Sequence, residues 1–106
     1  MITHIVLFKL KDRSAGSIKK AKDILSGMKG KIPQLRHHEV GVDVLHSERS
    51  YDLALVTKFD SLAELQNYQA HPVHVEVAKY MTSVRESSIT VDYYSVKIPL
   101  ENIVKI

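Results

Sequence analysis

The segment THIVLFKL (residues 3–10) constrains the fold more than any other, because it is apolar on both of its faces. Its β-branched and aromatic residues predict a strand, and a strand's period of two puts His4, Val6, Phe8 and Leu10 on one side and Ile5, Leu7 and Lys9 on the other. Both sides therefore need a cover. Tyr51 to Phe59 has the same character, with Leu53 and Leu55 opposed to Ala54 and Val56. Two other segments read as strands with one polar face. From Leu35 to His46, Val40, Val42 and Val44 alternate with Glu39, Gly41 and Asp43, and from about Ser88 to Ser95, Ile89, Val91 and Tyr93 alternate with Thr90, Asp92 and Tyr94.

Helical stripes lie between these strands. Ser14 or Ser17 can cap a helix running through Lys29, with Ile18, Ala21, Ile24, Leu25 and Met28 as its buried stripe and Gly30 and Pro33 as its stop. A second helix opens at Ser61, where Glu64 completes a capping box, and carries Leu62, Leu65 and Tyr68 inward. Pro72 then breaks the pattern, since it has no amide proton and excludes His71 from the helical region. It can start a new helix whose stripe is Val73, Val77, Tyr80, Met81 and Val84. The resulting order, β, α, β, β, broken α, β, is the ferredoxin-like one: an α+β fold with an antiparallel four-stranded sheet and helices on one face. The second sheet face stays bare in a monomer, so the two-faced strands predict a homodimer joined through its sheet faces.

Composition narrows the classes. A chain of 106 residues has the size of one domain, and we assign it residues 1–96, leaving an apolar tail at 97–106 that is expected to dock at the dimer. There is no cysteine, hence no disulfide or thiol chemistry, and a cytoplasmic location fits. No apolar run approaches membrane-spanning length, and MITHIVLFKLKD has neither the basic start nor the cleavage site of a signal peptide. The net charge of +3 conceals an asymmetry: nine Lys and Arg against two acids in residues 1–36, a net of +7, and six against ten in residues 37–106, a net of −4. Lys19, Lys20, Lys22 and Lys29 supply much of the basic excess, which reads as a solvated helix face. The strand order is shared with RNA-recognition domains, but YDLALVTKF lacks their base-stacking aromatic pattern, so no nucleic acid is expected as a partner. Gly-rich phosphate loops and flavin fingerprints are missing too, and no cofactor is expected.

The chemistry concentrates in YQAHPVH, residues 68–74. Imidazole is a base near neutral pH and a phenol in an apolar pocket is a donor for a developing oxyanion, so His74 and Tyr68 are the candidate base and hydrogen-bond donor. His4, Val6 and Phe8 share one face of the first strand and are candidates for a partly apolar pocket wall, with His71 as a further candidate. A residue just before proline at a helix start is also well placed to cap it, which is the simpler role for His71. A metal held by His71, His74 and Glu76, with His4, is the weaker alternative, because spacing across a helix break fixes no coordination geometry. His37 and His38 point to opposite faces of a strand and cannot chelate together, and His46 is expected at a solvated strand end.

HIVLFKLK, VGVDV, YDLAL, YQAHPVH and VDYYS together resemble the stress-responsive A/B barrel domain family over roughly residues 2–95. The resemblance implies a small dimeric α+β barrel. It also implies two functional expectations. Relatives include plant polyketide cyclases that close an aromatic ring by intramolecular aldol condensation, in which a tyrosine and the second histidine of YxxHPxH, with a histidine early in the first strand, line the pocket; these match Tyr68, His74 and His4. The first expectation is therefore a homodimer with a pocket for a small, partly apolar molecule. The second is a cofactor-independent lyase, cyclase or isomerase acting on an aromatic carbonyl or polyketide-like compound.

Overall fold

The computed structural model describes residues 1–95, and the expected tail at 97–106 lies outside them. Four strands and three helices follow in the order β1 (Ile2–Leu10), α1 (Ala15–Ser26), β2 (His37–Val42), β3 (Leu53–Phe59), α2 (Leu62–Ala70), α3 (Pro72–Val84) and β4 (Arg85–Tyr94). The sheet is antiparallel with strand order β2-β3-β1-β4, which is the ferredoxin-like topology expected from the sequence. Strand β1 is central and hydrogen-bonded on both sides, whereas β4 is an edge.

All three helices cover one face. Phe8, Leu10, Leu53, Leu55 and Phe59 from the sheet meet Ile18, Ala21, Leu25, Leu65, Tyr68 and Met81 from the helices in one buried core. The opposite face carries Ile5, Leu7, Ala54 and Val56, all partly exposed, and continues onto β4, where Ile89, Val91 and Tyr93 are 51%, 53% and 48% exposed. Contiguous apolar exposure of this kind marks an interaction surface.

The element ends depart from the alternation patterns for local reasons. Helix α1 starts at the Ser14 cap, whose side chain accepts from the Ser17 amide, but ends at Ser26 rather than Lys29. Residues 27–31 tighten into turns, with Gly30 at φ 79°, and Met28 is nevertheless buried. Strand β2 covers only half of the expected Leu35–His46. Beyond Val42 the Asp43 carboxylate accepts from the His46 amide at 2.7 Å and holds His46 at φ 51°, so Val44 and Leu45 are exposed instead of alternating inward. Strand β4 begins three residues early, directly after α3, in the polar run Arg85 to Ser87 that carries no alternation signal.

One buried carboxylate fastens this loop to the fold. Asp52 is fully buried, accepts from the Leu10 amide at 2.8 Å and from Arg13 Nε at 2.9 Å, and its own amide donates to Phe8. The Arg13 Nη2 group also donates to the Ser47 and Ser50 carbonyls, both at 3.1 Å. Asp52→Ala would strand these donors, and we expect it to lower unfolding free energy by about 3 kcal/mol, read from urea denaturation midpoints.

Candidate functional site

A cavity of about 280 Å³ lies between the helix-bearing face of the sheet and the helices. Its floor is β1, through His4, Val6 and Phe8, extended by Leu55 of β3 and by Arg85, Thr90 and Asp92 of β4. Its roof consists of Leu25 and Met28, of Tyr68 and Gln69 from α2, and of His74, Val77, Ala78, Met81 and Thr82 from α3. The wall is therefore mixed: eight of its sixteen residues, among them Val6, Phe8 and Met81, are apolar, and the other eight carry polar groups.

The helix break sets the roof. Ser61 caps α2 by accepting from the Glu64 amide at 3.2 Å, and α2 ends where His71 turns extended at ψ 136°. Pro72 opens α3, and the His71 side chain caps it by accepting from the Val73 amide at 3.1 Å. His71 is not among the residues of the cavity wall. Its imidazole is committed to the cap, which corrects its expected place in the pocket. Tyr68 and His74, one on each side of the break, converge instead, with ring centroids 4.5 Å apart. Tyr68 is fully buried, also packs on Phe59, and its hydroxyl donates only to Met28 Sδ, at 3.9 Å. Burial pushes the phenol's pKa far up, so it stays a protonated donor, and sulfur is a weak acceptor that a ligand oxygen can replace.

His74 is half-buried. Its Nδ1–H donates to the Gln69 carbonyl at 3.0 Å, which leaves Nε2 as the unprotonated nitrogen of the neutral ring. Burial pulls its pKa below the ordinary histidine value; the Gln69 bond opposes this and the neighbouring His4 adds to it. His4 in turn is buried, and its Nδ1 is hydrogen-bonded to the Asp92 carboxylate. That bond fixes the ring so that Nε2 is its remaining free nitrogen. Asp92 was not among the residues singled out for the site. The signal was available: the antiparallel register sets His4 opposite Asp92 and Val6 opposite Thr90, so one face of VDYYS belongs to the pocket. Only the pairing register reveals it.

The remaining histidines act elsewhere. His38 Nε2–H donates to the Leu25 carbonyl at 3.0 Å, and His37 stands 3.6 Å from Glu39 on the other face. Among the described residues, no three His, Cys, Asp or Glu side chains group so as to hold a metal ion.

The family comparison is decisive. The profile of the stress-responsive A/B barrel domain matches residues 2–95. The chain belongs to this family. An uncharacterised protein from Streptomyces coelicolor is 31% identical over 77 residues, 70% of this chain and 79% of that one. A dimeric ferredoxin-like protein from Bacteroides fragilis has a structure similar to this domain at TM-score 0.75 and 33% identity, covering 87% of this chain and 93% of the other. A hydroxynitrile lyase from Passiflora edulis shares the fold at TM-score 0.77 and 20% identity, covering 92% and 96%.

The pKa directions give a pH dependence. His38 is lowered, chiefly by burial, as His74 is. Each therefore contributes stability that is present above the unfolded value of ~6.5 and lost as pH falls through the lower folded value. Acidifying from pH ~7.5 to ~5 should lower the melting temperature, and His74→Asn should make that fall smaller, as measured by calorimetry across the range.

Proposed function

We propose that this chain is a homodimeric small-molecule-binding protein whose ligand, small and partly apolar, occupies the cavity between β1, β4 and the α2–α3 roof. The observation that carries the reading is the convergence of Tyr68, His74 and the His4–Asp92 pair on one cavity that also presents apolar side chains such as Val6, Phe8 and Met81. Among the described residues the Tyr68 hydroxyl has only a weak sulfur acceptor, and His74 is bonded through Nδ1 alone, so both retain capacity for a ligand's polar atoms. The proposed dimer uses the open sheet face of Ile5, Leu7, Val56, Ile89, Val91 and Tyr93, and the dimeric Bacteroides fragilis relative supports it. The cytoplasmic location expected of a chain without cysteine belongs to the same proposal. No helix among the described residues is long and apolar enough to cross a membrane.

A second reading, cofactor-independent chemistry on a carbonyl compound, is favoured by the tautomer of His74. With Nδ1–H held by Gln69, Nε2 can remove a proton from the carbon next to a carbonyl. The enolate carbon then attacks a second carbonyl of the same molecule, and the imidazolium returns the proton to the alkoxide formed. Tyr68, neutral and buried, would donate to the oxyanion.

Sedimentation at micromolar concentration should give a dimer, and Val91→Lys, which sets a charge on the open face, should shift it to monomer; a wild-type monomer refutes the interface. Aromatic ketones such as acetophenone should raise the melting temperature of the wild type but not of Ala78→Trp, which fills the cavity. In deuterated buffer, exchange of the ketone's methyl protons that is lost in His74→Asn would favour chemistry, and binding without exchange would favour a binding role alone.

A further inference from the structure

Along most of the β1–β4 ladder each step forward on β1 is matched by one step back on β4, from Ile2 with Tyr94 to Lys9 with Ser87. The register then shifts by one residue, and Leu10 pairs with Arg85 rather than Glu86. Uninterrupted alternation from Ser88 would put Glu86 on the cavity side and Arg85 on the open face. The extra residue reverses this assignment. Arg85 joins the cavity wall opposite the buried Leu10, and Glu86 is exposed. A one-residue bulge that re-aims a side chain is a recurrent device beside binding sites.

Among the described residues, Arg85 is the only lysine or arginine on the cavity wall, and it makes no ion pair and no side-chain hydrogen bond with any of them. The one carboxylate on the wall, Asp92, is already held by His4 at the far end of the β1 floor. The cavity thus has an unengaged guanidinium at one end and imidazoles at the other. Building on the cavity reading above, we infer that Arg85 selects ligands carrying a carboxylate, whose two oxygens match the guanidinium fork, with the carbonyl and apolar part extending toward Tyr68, His74 and His4. A single arginine balances a single negative charge. A phosphate dianion would keep a second charge uncompensated in a wall that also contains Asp92.

Benzoylformate and its neutral near-isostere 1-phenylpropane-1,2-dione separate this inference from the cavity reading. Dissociation constants come from NMR titration of the cavity residues' amide signals in the wild-type protein, in Arg85→Gln, in Arg85→Lys and in the exposed-side control Glu86→Gln. Folding of each variant is checked by its melting curve. The wild type should bind the carboxylate about tenfold more tightly than the dione. Arg85→Gln should erase that preference while leaving dione affinity within about twofold, Arg85→Lys should keep part of it, and Glu86→Gln should keep all of it. Equal affinities in the wild type, or a preference that survives Arg85→Gln, overturn the role of Arg85 and leave the cavity reading standing. Binding of neither compound overturns both. Tighter binding of phenyl phosphate than of benzoylformate overturns the choice of carboxylate.

Discussion

The Asp52 carboxylate is the constraint on which the arrangement depends. Fully buried, it joins the end of β1, the approach to α1 and the start of β3 by bonds to Leu10 and Arg13, and Arg13 extends the tie to the loop carbonyls of Ser47 and Ser50. A buried carboxylate needs donors on its oxygens, and the geometry that gives each oxygen of Asp52 one donor fixes where β1 ends. Strand β1 floors the cavity and is bonded on both sides, so its placement passes to β3 and β4 alike. A polar cluster remote from His74 thereby positions the floor on which His4, Val6 and Phe8 stand.

The roof obeys a different rule. An unbroken helix from Leu62 to Val84 would carry Tyr68 and His74, six residues apart, well round its surface from each other. The extended residue at His71 and the proline after it interrupt that rotation, and the two rings meet at a tilt with centroids 4.5 Å apart. His71 achieves this by giving up its own nitrogen to the cap.

Most of the fold was legible in the amino-acid order because its determinants are local: a period of two in THIVLFKL, the Ser61 capping box, the Pro72 interruption. Tyr68, His74 and His4 were legible as one group through the resemblance of YQAHPVH and the first strand to the family, whose pocket positions they match. What escaped depends on contacts distant in sequence. Asp92 sits 88 residues from His4, and nothing near either residue announces the pair. The bulge at Glu86 is similar, since a polar run such as RESS has no alternation from which to read a register. Strand β2 was overextended because Val44 continues an apolar rhythm that the Asp43 side chain, by capturing the His46 amide, cuts short.

Strand β4 divides its duties by parity. Thr90 and Asp92 belong to the cavity wall, while Ile89, Val91 and Tyr93 face outward on the bare side of the sheet. Between Ile89 and Tyr93, substitutions at even positions can retune what the cavity accepts without altering the outward surface, and those at odd positions can alter that surface without touching the cavity; before the bulge the parity inverts, and Arg85 joins the cavity wall. Two selective pressures can thus act on the stretch from Ile89 to Tyr93 almost independently. The exception is an insertion or deletion inside it, which would exchange the two sets at a stroke. Lineages of this domain should therefore diversify along β4 by substitution, with its length held constant.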